Sequence, residues 1–532
     1  MPLRRRSLLE FVETGSIYLT VPYGFSLTQA LNGRIQKYMT VQYGQINATT
    51  RERSNMTGTG AAGRLSGLVA ALLLGGCISV PNLGPAPKLT AAESLASARS
   101  LDAPAADWPT DSWWKAYGDP QLDALIDEAL KSSPNLDQAR ARVHKAEALA
   151  REAKGALYPT LGANSAVNVT RESLNTGFPH QFTPYLPHGY LPFTQDTLNL
   201  DYALDVWGAN RKAFAAATSE ALAARADAAQ VRLTLAAGVA STYADLARLY
   251  AERDDAIEVV RIRDATLNLF AERGRNGLET RGVTDQSISS VATAKGQVAS
   301  LDEQIALSRN RLAALVGAGP DRGLAIARPT IGALKPFGLP ARLPADLLGR
   351  RPDLIAARLR AEAASSRIGQ AKAAFYPNID LAAYAGQEVL GLQLLGRSTS
   401  NMGQLGAAIH LPIFDAGRIN GAYRGARADY DLAAAAYDQT LVQALQDVAD
   451  ATASQRALAV ELGQARAAET AADQAFKIAG LRYKAGLSNY LAVLSAEDQL
   501  VAARRSRVDL EARGFTLDVS LALALGGGFH SV

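Results

Sequence analysis

From Arg211 to Ala271 the chain has no proline, and its apolar and small residues recur at helical spacing. They are Phe214, Ala217, Ala221, Ala224, Ala228, Val231 and Leu235, then Thr242 and Leu246. Gly238 is the only glycine in the stretch, and a lone mid-helix glycine costs about 1 kcal/mol. At 1.5 Å per residue a continuous helix of roughly 60 residues is about 90 Å long. Globular cores use helices of roughly 8–20 residues. The pattern occurs twice, for Arg418 to Ala479 carries Ile419, Ala422, Ala426, Tyr430, Ala433, Tyr437, Leu441, Ala444 and Val448. Steps of three, four and four make an eleven-residue repeat of about 3.67 residues per turn, which keeps a helix nearly straight. The helices alone fit an ordinary coiled-coil stalk equally well, so the flanking segments decide.

Those segments contain strands. Pro120 to Leu157 reads as helix, broken at Ser133-Pro134-Asn135 and ended by Tyr158-Pro159. Leu161, Ala163, Ser165, Val167 and Val169 then alternate with polar or small residues, as do Leu198, Leu200, Tyr202, Leu204 and Val206 after a Pro/His-rich loop. Period two predicts strands at 160–170 and 197–206, near the length of about 9–11 residues that a tilted strand needs to cross a bilayer. Asn199, Asp201 and Asp205 fall on the polar face of the second strand. They read as the lining of a water-filled lumen, although Asp201 and Asp205 also admit an acid/base pair. Trp207 stands where a membrane-interface aromatic is expected.

The second half repeats this order. Phe375-Tyr376-Pro377 matches Leu157-Tyr158-Pro159, alternation returns at 378–386 and 404–413, and Phe414-Asp415-Ala416-Gly417-Arg418 opens the second long helix. Gly277 and Gly486 each follow a long helix, which places hairpin turns at 273–284 and 482–491. The predicted protomer is therefore a tandem repeat, 119–317 and 347–526, joined by a Pro/Gly-rich linker at 318–346 and followed by a tail at 527–532. Chance likeness between alanine-rich helices would not repeat the strands as well. In the linker's wake, Pro352 suits a first helical position and Asp353 the positive helix end.

Cys77 is the only cysteine, which excludes an intrachain disulfide and a cysteine-based metal cluster. Before it stand Arg64, an apolar run from Leu65 to Leu74, and Gly75-Gly76, the layout of a secretory signal. Met56 begins a signal of ordinary length, 56–76, so 1–55 is expected to be an upstream extension outside the native start. Residues 77–118 read as an anchored linker ending in Trp113-Trp114 and Tyr117, aromatics expected to pack on the helical body. Net charge is +4 and charged residues are 20% of the chain, which gives no case for a nucleic-acid surface. There is no P-loop, G-x-S-x-G or H-E-x-x-H motif, so no enzyme is expected. His180 and His188 read as loop surface rather than a metal site, and no cofactor is implied.

The lipobox-like Leu74-Gly75-Gly76-Cys77, Trp113-Trp114 with Asp119-Pro120, Gly349-Arg350-Arg351-Pro352-Asp353-Leu354, Leu411 to Arg418, and Ala524-Leu525-Gly526-Gly527-Gly528 occur in one order. In that order they resemble the outer-membrane factor family, the TolC/NodT-type efflux lipoproteins, over nearly everything from Cys77 to Phe529. The resemblance implies a mainly α protein with a membrane β-barrel. Long periplasmic helices and four transmembrane strands per chain would form, in a homotrimer, a twelve-stranded barrel continuous with an α-helical barrel. It also implies lipidation of Cys77, embedding in outer-membrane lipid, and work with a periplasmic adaptor (membrane fusion) protein and an inner-membrane resistance-nodulation-division pump. The function implied is a passive exit duct for efflux; a type I secretion duct and a structural periplasm-spanning lipoprotein are the alternatives.

By the same resemblance, Gly277, Leu278, Gly486 and Leu487 belong to adaptor-docking tips. Two partners of a closing latch carry over, Asp285 and Tyr483, with Asp285 also readable as a helix cap. The family's acidic ring positions hold Ala492 and Ser495, and a latch arginine position holds Ser488. If the polar latch is absent, closure would fall to Leu491 and Leu494.

Overall fold

A computed structural model describes residues 79–97, 99–171, 173–174, 180–330, 338–340 and 343–530. Cys77, its signal and the upstream extension lie outside the described residues. The first half runs α1 (Pro120–Ser132), α2 (Pro134–Gly155), β1 (Thr160–Thr170), β2 (Leu191–Leu204), α3 (Ala209–Arg275) and α4 (Arg281–Leu315). The second runs α5 (Leu343–Arg350), α6 (Pro352–Ala373), β3 (Asn378–Leu390), β4 (Asn401–His410), α7 (Arg418–Lys484) and α8 (Tyr490–Ala524). Corresponding helices agree in length: α2 and α6 have 22 residues, α3 and α7 67, α4 and α8 35. The duplication is therefore one of whole elements.

The strands form a single antiparallel sheet in the order β1-β2-β3-β4. β1 has the predicted bounds, while the other three differ from expectation. β2 begins at Leu191, six residues before 197, because Leu191, Pro192 and Phe193 continue the ladder with Thr170, Val169 and Asn168. Pro192 disguised this run as loop, yet a proline near a strand start is tolerated. β3 extends past 386 to Leu390, and β4 covers Asn401–His410 rather than 404–413. Pro412 has no N–H to offer a ladder, in keeping with that earlier end.

The strand ends correct one residue in particular. Asp205 lies beyond β2, and its carboxylate accepts from the backbone N–H groups of Asn210 and Arg211 at 3.0 and 2.8 Å and from Arg211 Nε at 3.2 Å. It satisfies two of the orphan donors at the start of α3 and is bound there rather than on the polar face of the strand. Asp415 does the same for α7, accepting from the N–H of Gly417 and Ile419. The Phe414-to-Arg418 run is thus a helix-start device. Trp207 stacks on Tyr376 at 4.6 Å between ring centroids and donates from Nε1 to the Pro377 carbonyl, which ties the two halves together beneath the sheet.

Midway along, α3 is buried nearly all round from Leu233 to Leu249, where α1, α4 and α8 share one core with it, while α2 and α6 pack higher up, around 220–227. Trp113, Trp114 and Tyr117 close this core as expected. The Tyr117 hydroxyl donates to Asp518 of α8 at 2.6 Å. Arg351 is buried between Asp353, Asp447 of α7 and the Ala524 carbonyl that ends α8. A Cβ on Gly526 would stand 2.0 Å from the Arg350 carbonyl. The Arg-Arg-Pro-Asp motif and the C-terminal glycine run are therefore two sides of one joint. Upstream, residues 84–90 run along α7: Arg427 donates to the carbonyls of Gly84 and Pro85, Tyr430 to that of Pro87, and Thr90 N–H to Asp438. Going back toward Cys77, this strap climbs toward the start of α7.

Desolvation works against the charge of Asp205, but the N–H groups of Arg211 and Asn210 and the Arg211 guanidinium outweigh it and hold the carboxyl below its ordinary range. A depressed folded value stabilises above the unfolded value of about 3.9 and is lost as pH falls through the native one. Asp205→Ala is expected to lower the thermal midpoint of the helical circular dichroism by an amount matching a lost cap, roughly 1 kcal/mol. It is also expected to weaken the acid limb of stability below about pH 4; an unchanged midpoint and acid limb would show that the cap is idle.

Candidate functional site

Two regions carry the geometry of function: the faces of the sheet and the paired helix tips. Register sorts the sheet into two faces. On one, Leu161, Leu200, Ala383 and Leu405 lie in a row, next to Ala163, Leu198, Ala385 and Gly403; Tyr202, Leu381 and Ala407 follow, then Leu204, Ile379 and Ile409. On the other, Gly162, Asn199, Tyr384 and Gln404 form a row beside Thr160, Asp201, Ala382 and Gly406, and Gln195 meets Glu388. Asn199 and Asp201 thus share the polar face, as alternation required. Leu161, Leu198 and Leu405 are exposed in the protomer. An aqueous surface would not favour such a contiguous apolar patch.

At the opposite end from the sheet, both hairpins turn in the same way. Five residues separate α3 from α4, 276–280, and five separate α7 from α8, 485–489. Gly277 and Gly486 adopt φ of +71° and +72°. The N–H of Leu278 reaches back to the Arg273 carbonyl and that of Leu487 to the Arg482 carbonyl, both at 2.9 Å. These are Schellman-type endings, in which a left-handed residue lets the chain satisfy the last carbonyls. Leu278 and Leu487 project outward, 65% and 70% exposed, so each tip presents an unpacked leucine.

Between the tips lies a cavity of about 490 Å³, lined among others by Arg273, Val283, Ser287, Tyr483, Ser488 and Leu494. The Tyr483 hydroxyl and Ser488 Oγ are buried there without a hydrogen-bond partner. Burial pushes both Tyr483 and Tyr490 up from the usual phenol value. Phe270, fully buried, meets Tyr490 edge-on at 4.5 Å and Tyr483 at 6.2 Å, which packs α3 against both helices of the second hairpin.

The latch suggested by resemblance is not assembled within the protomer. Asp285 is exposed and faces Arg281 of its own helix at 3.9 Å, while Tyr483 belongs to the aromatic cluster. Asp285 is no helix cap either, since α4 starts after Thr280, five residues earlier. Leu491 is exposed at the start of α8 and Leu494 lines the cavity.

Above the tips, charged groups that sequence reasoning passed over join the hairpins. Arg263 of α3 donates to Glu497 at 3.2 Å and Asp498 at 2.7 Å on α8. Farther up, Arg248 pairs with Glu252 and stands 3.5 Å from Asp509 of α8. Desolvation raises the carboxyl values of both Glu497 and Glu252, their arginines offsetting it in part. A signal was available in the sequence: Glu497 interrupts an apolar ladder between the buried Val493 and Leu500.

The sequence matches the family model for outer membrane efflux proteins over residues 125–318 and 343–527. The chain belongs to that family. It is 36% identical over 364 residues to the fusaric acid resistance protein FusA of Burkholderia cepacia, 67% of each chain. It is 30% identical over 471 residues to the multidrug resistance outer membrane protein MdtP of Escherichia coli, covering 86% of this chain and 95% of the relative. Among solved structures, the outer membrane protein VceC of Vibrio cholerae superposes with a TM-score of 0.75 at 40% identity, over 80% of this chain and all of that one. The CmeC channel of Campylobacter jejuni, at 21% identity and TM-score 0.76, shares the fold. The chain is accordingly an outer-membrane efflux duct with a helical periplasmic portion. Family members are channels rather than enzymes and work within tripartite assemblies.

Proposed function

We infer that three copies of the chain form a passive exit conduit. It receives substrate from an inner-membrane resistance-nodulation-division pump through a periplasmic adaptor that docks on the tips around Gly277, Leu278, Gly486 and Leu487. The sheet carries this reading. Four strands with β1 and β4 as open edges cannot close a barrel, the smallest membrane barrels having about eight, and open edges do not survive in hydrocarbon. Other copies must pair with them, and three copies supply twelve strands. The apolar rows then face lipid, and Asn199 and Asp201 face water. Outward leucines and unpartnered buried hydroxyls at the tips support docking there. The climb of the 84–90 strap toward the membrane end of α7 supports an anchor at Cys77. The relatives' names range over fusaric acid resistance, toluene efflux and pyoverdine export, as expected if the pump selects the substrate.

Planar-bilayer recording tests the conduit itself, since a structural strut would pass no current. For the faces, Leu200→Arg is expected to destabilise the assembly by about 2–4 kcal/mol and Asn199→Arg far less; equal losses of trimer on gels would reverse or void the assignment. For the tips, a Cβ at Gly277 or Gly486 meets open space, so valine there costs only backbone strain of about 1–2 kcal/mol. Gly277→Val and Gly486→Val should leave the trimer assembled while export falls sharply in a susceptibility assay, and normal export from both would reject docking. Intact-mass measurement of the purified protein should find Cys77 as the N-terminus with a diacylglyceryl thioether and an N-acyl chain, and an unmodified Cys77 would remove the anchor.

A further inference from the structure

The apolar face of the sheet ends in a complete polar row. Ser165, Asp196, Gln387 and Asn401 stand side by side across β1, β2, β3 and β4, and alternation puts them on the same face as Leu198, Leu200 and Leu405. Ser165 Oγ donates to Asp196 at 2.6 Å, and Gln387 Nε2 to Asn401 Oδ1 at 3.0 Å. Asp196 lies eight residues before β2 ends at Leu204, roughly 26 Å along the strand and about 20 Å in height at a tilt of about 40°. A membrane barrel shows lipid an apolar band about 25 Å tall, and a charge within it is costly. The row therefore marks where hydrocarbon gives way to headgroups, at the end of the sheet away from the helices.

The β3–β4 loop, 391–400, is folded down onto that boundary. Gly391 and Gly396 turn it with φ of +102° and +78°. The N–H of Gly391 donates to the Pro192 carbonyl at 2.7 Å and that of Gly396 to Gln387 Oε1 at 2.9 Å, so the returning half of the loop meets the polar row from its own face. Thr194 and Val389, paired just beyond that row on the same face, are buried, whereas Leu198 and Leu405 stay exposed. Around Gly396 the loop offers two chemistries. Leu392 and Leu395 are 52% and 40% exposed. Arg397, Ser398 and Thr399 are exposed as well, and among the described residues no side chain engages the Arg397 guanidinium. Leucines beside an unpaired arginine and two hydroxyls suit neither water alone nor hydrocarbon alone. They suit a lipid with phosphate at its head, whose acyl layer takes the leucines while the guanidinium fork and hydroxyls hold the phosphate.

We propose that the 391–400 loop is a lipid-binding element that holds lipid A, the phosphorylated glycolipid of the outer leaflet, with Arg397, Ser398 and Thr399 on a phosphate and Leu392 and Leu395 among the acyl chains. The inference rests on the reading above that the apolar rows face lipid. The position of the loop, at the outer end of those rows, selects the outer leaflet and so lipid A over a glycerophospholipid.

Native mass spectrometry of the purified assembly, stripped of lipid and titrated with lipid A, tests the element. Arg397→Ala is expected to weaken lipid A binding several-fold, and Arg397→Lys, which keeps the charge but loses the fork, to weaken it less. Leu392→Ser with Leu395→Ser should also weaken it, with assembly unchanged in all three variants. Dephosphorylated lipid A and phosphatidylglycerol should bind the wild type more weakly and ignore the Arg397 substitutions. Undiminished lipid A binding by Arg397→Ala overturns the proposal, and so does phosphatidylglycerol bound as tightly as lipid A. If Leu200→Arg and Asn199→Arg reverse the faces of the sheet, the loop falls together with the lipid-facing assignment. A wild type that binds no lipid A while that assignment stands overturns the loop alone.

Discussion

A backbone N–H or carbonyl in hydrocarbon has no water to turn to, and the rest of this structure follows from that constraint. Four strands leave two edges without partners, so the sheet is an open piece of something larger rather than a finished object. Its apolar rows, stable neither in water nor as an isolated ribbon, make the same demand from the side-chain direction. Pairing of copies through β1 and β4, as proposed, would carry the helices joined to the strand ends into a ring as well. The carboxylates of Asp205 and Asp415 sit at that transition and satisfy helix donors just where the chain leaves the sheet.

The duplicated halves match in length but not in burial. Along its length α3 packs against five helices, whereas α7 packs chiefly against α6 and α8. The first hairpin is thereby committed to the core, and the second is held to it through a smaller set of contacts along α8. Arg248 with Asp509, Arg263 with Glu497 and Asp498, and Phe270 with Tyr490 form successive layers of that seam. Above that seam Phe515, Val519 and Ala522 of α8 join the core around α3, so the second hairpin is tied in by apolar burial as well.

The extent to which the sequence disclosed this follows from what each feature depends on. Helix existence rests on local spacing and on proline-free runs, and α3 and α7 appear where periodicity put them. Strand faces rest on period two, and Leu198, Leu200, Asn199 and Asp201 fall as alternation demanded. Strand ends rest on neighbours: β2 starts early because β1 is there to pair with Leu191 to Phe193, and a single strand cannot reveal that. Asp205 departs from expectation for the same reason, since a carboxylate one residue past a strand belongs to whichever element needs its oxygens. The Arg-Arg-Pro-Asp and glycine motifs were recognisable as signatures, but their meeting at Arg351 and Gly526 is a tertiary fact.

Asp285 and Tyr483 do not meet within the protomer. The turns they flank have fixed length and a fixed left-handed glycine, so their positions transfer well. A hydrogen bond needs two side chains to agree on rotamer and on helix rotation, and a small rotation of α8 or α4 is enough to lose it. Here the Tyr483 ring is taken up by Phe270 and Tyr490, and Asp285 points to solvent beside Arg281. Arg263, by contrast, finds its partners inside the protomer, on α4 and on α8.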